Sequence, residues 1–297
     1  NSKFLSSDVI TQFRGRGDEI HVYPLSFSEY VPACQGSVDE AWDDYLIYGG
    51  MPLILTMAEP EDKAAYLNSL FQKVYISDIV ERHDVRNKVE LDELVDILAS
   101  AIGSYTNQSK LVRTFKSVKG KTISDKTIKN YIDYLIDSFL ISKAVRYDIK
   151  GKKYIGSPSK YYFEDVGLRN ARLGFRQVEQ THLMENIIYN ELRIRGYHVD
   201  VGVVEYYGAN REGKRGKKQL EVDFVATKGS EKHYIQSAFT LPTADKVDQE
   251  QRSLLRIPDS FRKIVIVGDN IKVRRDENGI ITIGLRNFLL DENSLRL

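Results

Sequence analysis

Apolar residues recur every third or fourth position in some stretches and every second position in others, and these two rhythms divide the chain. Leu5 to Phe13 carries the helical rhythm. In "EIHVYPLSF", Ile20 and Val22 alternate with His21 and Tyr23, which predicts a strand closed by Pro24. Ser37 and Glu40 form a capping box ahead of a helix carrying Trp42, Tyr45 and Leu46, and Gly49-Gly50-Met51-Pro52 then breaks the chain. Leu67, Leu70, Phe71 and Val74 predict a helix from Glu61 to about Arg82, and Leu91, Leu94, Val95, Leu98 and Ile102 predict the next.

A short helix is expected after Ser109 and a stronger one from Ser124, with Ile128, Tyr131, Leu135 and Ile136 inward. The strand "LISKAVRYD", the basic turn "KGKK" and "KYYFEDV" follow. Helix, helix, helix, β-hairpin is the order of a winged helix-turn-helix. From Gln180 the rhythm changes again. "HLMENIIYNELRIRGY" is one helix with Leu183, Ile187, Ile188 and Leu192 on its core face. Strands are expected near 198–206, 219–227, 232–239 and 263–268, with a helix around 244–256 and a late hairpin turning at Asn278-Gly279. The resulting fold class is α+β multidomain, with boundaries at 1–88, 89–178 and 179–297.

Composition narrows the function classes. The 297 residues suit two or three domains. With 43 basic against 42 acidic residues, net charge is silent on nucleic acid, and only local clustering speaks to it. The lone Cys34 excludes an internal disulfide or a multi-Cys zinc site and suits a reducing compartment. No apolar run approaches the roughly 20 residues of a membrane span. The expectation is a cytoplasmic chain without a membrane partner. Because it opens at Asn1 without Met, it is also expected to be part of a larger protein.

Local clustering does exist. Five basic residues and no acid lie between Lys110 and Lys121. Lys110, Arg113 and Lys116 precede Lys126 and Lys129 on the presumed recognition helix, and Lys150, Lys152 and Lys153 sit on the presumed wing tip. One reading is phosphate contact with DNA, with a steep salt dependence. The other is a solvated lysine surface on a protein-binding module.

A second cluster is acidic. A metal-dependent phosphodiesterase gathers carboxylates around a hard divalent cation, and a nearby lysine stabilises the charge that develops. The candidates are Glu185 and Glu191 on the helix, Glu221 and Asp223 on one strand, and Gln236 on the next. Glu221 and Asp223, two apart, share a face, with Val222 and Phe224 expected on the other. Glu185 and Asp223 are the metal candidates, for Mg²⁺ or Mn²⁺, and Asp223 and Gln236 the catalytic ones. A restriction-endonuclease-like strand would carry Glu-x-Lys where this one reads Gln236-Ser237-Ala238. Losing such a charge-stabilising donor costs roughly two to three orders of magnitude in rate. Lys228 and Lys232 in the turn are the replacements in reach. A degenerate nuclease-like domain is expected, with an active Mg²⁺- or Mn²⁺-dependent nuclease and a protein-interaction module as alternatives.

The chain resembles the C-terminal part of a prokaryotic AAA-type ATPase family with a winged helix and a restriction-endonuclease-like C-terminal domain. The resemblance rests on "SKFLSSDVITQFRGRGDEIHVYPLSFSEY" with "YGGMP", on "ISDKTIKNYIDYLIDSFLISKAVRYD", and on "ENIIYNELRIRGYHVDVG" with "LEVDFVA" and "YIQSAF". It implies that residues 1–88 hold the end of the ATPase core and its helical lid. It also implies that Arg16 (or Arg14) is an arginine finger reaching a neighbouring subunit's nucleotide. ATP and Mg²⁺ would then belong to the full-length protein, and its partners would be the ATPase half, neighbouring subunits and DNA. No G-x-x-x-x-G-K-[ST] occurs, so ATP hydrolysis is not expected from these residues alone. "GANREGKRGKKQ" lacks the Walker spacing and reads as a basic hairpin loop.

Overall fold

Ser37 and Glu40 exchange the hydrogen bonds the sequence predicts: the serine hydroxyl accepts from Glu40 N–H, and Ser37 N–H donates to the Glu40 carboxylate at 2.7 Å. In the computed structural model, which describes residues 20–120, 122–176, 178–209 and 215–296, the helix so capped is the second α-helix among the described residues of a mostly helical first unit. That unit holds the described residues up to Lys143 together with Tyr161–Glu179. A second unit holds Ala144–Lys160 and the described residues from Gln180 onward.

The helices of the first unit are α1 Phe27–Tyr30, α2 Val38–Tyr48, α3 Pro60–Leu70, α4 Ser77–Arg82, α5 Lys88–Ser100, α6 Gln108–Lys119, α7 Asp125–Asp137 and α8 Val166–Arg172. The helix expected from Glu61 to Arg82 is α3 and α4 joined by a wider π turn, Phe71–Ile76. Residues 20–26 are not a strand, contrary to their alternating pattern. Ile20 and Val22 are 80% and 84% exposed, and no strand among the described residues offers the ladder hydrogen bonds that alternation requires. The expected helix Leu5–Phe13 lies outside the described residues.

The sequence reading did not anticipate α8, yet it organises this unit. Arg169 and Asn170 are buried, and they donate to the carbonyls that helix ends leave without intrahelical partners. Arg169 Nε reaches Ala99 O at 2.9 Å, in the last turn of α5. Asn170 Nδ2 reaches Leu46 O at 3.0 Å and Ile47 O at 2.9 Å, in the last turn of α2. Asp165 caps α8 through Leu168 N–H and also accepts from Gly50 N–H at 2.7 Å. Burial pushes its carboxyl up to about 6, against the opposing pull of those backbone donors. The "YGGMP" glycines are thereby explained: a Cβ on Gly49 would strike the Asp165 carboxylate, and one on Gly50 would strike Leu25 O.

The second unit is built on a mixed sheet of order β2-β1-β3-β4-β5-β6-β8-β7. Its strands are β1 Ile141–Asp148, β2 Lys153–Phe163, β3 His198–Ala209, β4 Arg215–Lys228, β5 Glu231–Ala238, β6 Arg262–Val267, β7 Arg274–Arg275 and β8 Ile281–Gly284. The division between units falls within β1 and β2. The pair β1–β2 therefore is not a free-standing wing: β1 runs parallel to β3 from Arg146↔Val201 to Asp148↔Val203. β3, β4 and β5 form an antiparallel meander, and α10 Ala244–Gln251 leads back to β6, which runs parallel to β5. Helix α9 Gln180–Ile194 precedes the meander, and α11 Leu285–Leu290 follows β8.

Close backbone approach makes a sharp test in the first unit. A Cβ on Gly167 would lie 1.9 Å from Tyr48 O, whereas one on Gly156 meets nothing within 4 Å. Gly167→Ala should cost about 3 kcal/mol by overpacking, read as a lower urea midpoint, and Gly156→Ala should leave the midpoint nearly unchanged.

Candidate functional site

The register of the β3–β4 pair slips at one place. Asp200 faces Val225 and Gly202 faces Val222, so Asp223 and Phe224 together oppose the single residue Val201. Such a bulge re-aims side chains. Val222 and Val225 then pack in one apolar cluster with Tyr234, Ala238 and Leu254. Phe224 instead meets the ring of Tyr189 on α9, at 6.3 Å between centroids. The expectation that Val222 and Phe224 share a face is corrected by this bulge.

Asp223 turns toward α9, where it meets a group the sequence reading missed. Lys160, on β2, is 3% exposed, and its ammonium lies 2.9 Å from Glu185 and 2.6 Å from Glu221. Burial works against that ammonium, yet the charges of Glu185, Asp223 and Glu221 outweigh it and hold the lysine above its ordinary pKa. Asp223 goes the other way. Burial raises its carboxyl well above the usual range, and the neighbouring Glu185 and Glu221 add to this. Lys160 and the N–H of Ser237, which donates to Asp223 Oδ2 at 2.7 Å, offset only part of it. The crowding of acids and their burial both favour the neutral form of Asp223.

The remaining sequence candidates fall elsewhere. Gln236 shares the face of Tyr234 and Ala238, two residues to either side, and its Oε1 accepts from Ser253 Oγ at 3.4 Å. It is not in the Asp223 cluster. Ala238 is 3% exposed within the apolar cluster, so its methyl fills core and does not present a vacancy to a cleft. Glu191 pairs with Arg195 at 2.6 Å. Lys228 donates to Arg195 O at 2.7 Å, and Lys232 lies over the rings of Tyr147 and Phe261, so these contacts hold both apart from the Asp223 cluster. The lysine of that cluster comes from β2. Its signal was legible in "SPSKYYF", a lysine at the head of an apolar strand run, a position that lysine rarely takes unpaired.

Whether a divalent cation suits the acids is decided by the same lysine. The Lys160 ammonium lies within hydrogen-bond distance of the Glu185 and Glu221 oxygens that a hard cation would need. Among the described residues, no group of three or more His, Cys, Asp and Glu side chains is arranged to hold a metal ion. The arrangement does not fit Mg²⁺ or Mn²⁺.

The basic candidates divide between the units. Lys110, Arg113, Lys116, Lys126 and Lys129 are exposed in the first unit, with Lys110 Nζ donating to Tyr105 O at 2.9 Å. Lys150, Lys152 and Lys153 are exposed on the β1–β2 turn of the second. Arg14 and Arg16 lie outside the described residues. Among the described residues no helix is long and apolar enough to cross a membrane.

A helical unit and a mixed-sheet unit with a buried lysine–carboxylate cluster define an α+β protein matched by two families. Residues 39–179 match a domain of unknown function, DUF8612, and residues 180–288 match another, DUF4143. The chain belongs to the same family as an uncharacterized protein of Haemophilus influenzae, 34% identical over 295 residues that cover 98% of this chain and 69% of that protein. An uncharacterized protein of Methanocaldococcus jannaschii is 26% identical over 285 residues, covering 92% of this chain and 60% of its own length. Among solved structures, protein VC1899 from Vibrio cholerae is 13% identical, covering 94% of this chain and 62% of its own, with a TM-score of 0.28. That value is too low to bear on the fold.

Removing one partner from a buried ion cluster leaves uncompensated charge and typically costs 3–5 kcal/mol. Lys160→Met should therefore lower stability at pH 7 by about 3 kcal/mol in urea melts. In the unaltered protein, folded Asp223 keeps a proton that the unfolded chain has released above about 3.8, so its contribution to stability falls as pH rises through that window. Asp165 adds a slope of the same sign up to about 6. Asp223→Asn should make the stability–pH profile shallower without flattening it.

Proposed function

We propose that the chain is the C-terminal portion of an AAA-type ATPase, with DNA-binding and regulatory roles and a nuclease-like sheet unit that no longer cleaves. The observation that carries the second half is the Lys160 ammonium between Glu185 and Glu221 beside Asp223. An internal cation there satisfies the acids that a nuclease would commit to a metal. The element order α9-β3-β4-β5-α10-β6 supports the nuclease-like reading: an antiparallel meander, then a helical connection to a parallel strand, with acids on the first helix and second strand. Three helices followed by two strands, α5-α6-α7-β1-β2, support the winged-helix reading. The exposed Lys126 and Lys129 at the start of α7 support phosphate contact. The ATPase reading rests on the resemblance of the quoted segments, and ATP, Mg²⁺ and the neighbouring subunit enter only through it.

Two measurements test this. Incubation with supercoiled plasmid and Mg²⁺ or Mn²⁺ should leave the plasmid intact, and nicking that Asp223→Ala abolishes would restore the nuclease. Fluorescence anisotropy with a labelled duplex should show binding that weakens steeply with salt. Lys126→Glu/Lys129→Glu should reduce the slope of log affinity against log salt by about two. An unchanged slope would remove the α7 contact.

A further inference from the structure

The β3–β4 hairpin outruns its sheet. β1 reaches β3 only as far as Val203, and β5 reaches β4 only from Phe224 to Lys228. From Val204↔Leu220 to Ala209↔Arg215 the two strands pair with each other alone, a ribbon roughly 17 Å long. An arm with two open edges is a liability unless something occupies it.

One face of the ribbon is polar and tied together. Lys217 bonds Glu205 at 2.6 Å, Gln219 Nε2 donates to Glu205 at 3.0 Å, and Arg146 donates to Gln219 at 2.8 Å. Tyr207, opposite Lys217, stands 81% exposed beyond them. The other face is braced where the Arg256 guanidinium lies 4.3 Å from the centre of the Tyr206 ring. The β1–β2 turn joins the ribbon base through Ile149 N–H, which donates to Val203 O at 3.0 Å. The charge of Lys153 bears on Glu205 as well, after the closer Lys217. Lys150, Lys152, Lys153 and Lys217 are exposed in this part of the second unit, where Lys217 pairs Glu205. Glu221, on the same face of β4, continues that surface toward Lys160.

We infer that this ribbon and the adjoining turn form a docking arm for duplex DNA. A two-stranded antiparallel ribbon fits the major groove. Lysines at its base and in the turn meet phosphates, and the exposed Tyr207 ring offers an apolar surface to base edges. The inference rests on the DNA-binding reading but assigns the contact to the second unit, apart from α7.

The test compares the unaltered chain, Lys152→Glu/Lys153→Glu/Tyr207→Ala, and Lys126→Glu/Lys129→Glu, by anisotropy on one labelled duplex at low and physiological salt. Circular dichroism melts serve as the folding control, and the charge-neutral Lys152→Gln/Lys153→Gln variant keeps Tyr207 in place. The ribbon variant should bind at least about tenfold more weakly, with a salt slope smaller by about two. The neutral variant should fall between it and the unaltered chain. If the ribbon variant binds as the unaltered chain does while the α7 variant weakens, the arm is refuted and the DNA reading survives. Absence of duplex binding by the unaltered chain at low salt refutes both. A ribbon variant that changes self-association in sedimentation while keeping DNA affinity makes the arm a protein contact and overturns the inference.

Discussion

An ammonium group taken out of water must be matched by charges close enough to offset its lost hydration, and Lys160 is matched by the carboxylates of Glu185 and Glu221, with Asp223 beside them. Desolvation of a charged group costs several kcal/mol in a real protein even after relaxation. The cluster joins β2 to α9 and β4. It thereby holds a strand of the β1–β2 pair against the meander, independently of the backbone pairing of β1 with β3. The cation that answers the negative charge of Glu185 and Glu221 is supplied by the chain itself.

In the first unit the corresponding constraint is hydrogen bonding. Helices that end inside a packed unit leave carbonyls without partners, and α8 places Arg169 and Asn170 where α5 and α2 end. Asp165 does the converse, accepting from the N–H groups of Gly50 and of its own helix. Donors and acceptors are thus exchanged across segments far apart in sequence. The glycines at 49, 50 and 167 are consequences of that closeness, because a Cβ would strike the Asp165 carboxylate at 49, Leu25 O at 50 and Tyr48 O at 167.

Much of the helical order was legible from apolar periodicity and capping residues, because those signals are local. Ser37 with Glu40 and the stripes of α5, α7 and α9 needed no tertiary information. The short helix α8 was not legible, since its buried arginine and asparagine look like surface residues until the carbonyls they serve are in place. The pairing of β1 with β3 was hidden for a similar reason: a register between strands more than fifty residues apart leaves no trace in either. At the site, Glu185, Glu221 and Asp223 were legible as acids on facing elements. The bulge was not, since strict alternation places Val222 and Phe224 together.

That bulge also explains why a comparison of single positions misleads. Counting by twos along β5 sets Gln236 and Ala238 against Asp223, as a nuclease motif would. In the fold, those two residues belong to the face that packs Tyr234 and Leu254, and the carboxylate of Asp223 belongs to the face of α9. A missing lysine at 238 is therefore no vacancy, because the methyl there completes a core. The acids' demand for positive charge is set by their convergence, and any strand that reaches them can meet it. Here β2 does so, with a lysine whose short contacts to two carboxylates hold it as a fixed counter-ion. A catalytic lysine in a hydrolytic site faces a reacting phosphate, whereas this one is turned into the protein. The geometry of its partners, more than its presence, sets what this lysine does: it neutralises the acids that gather around it.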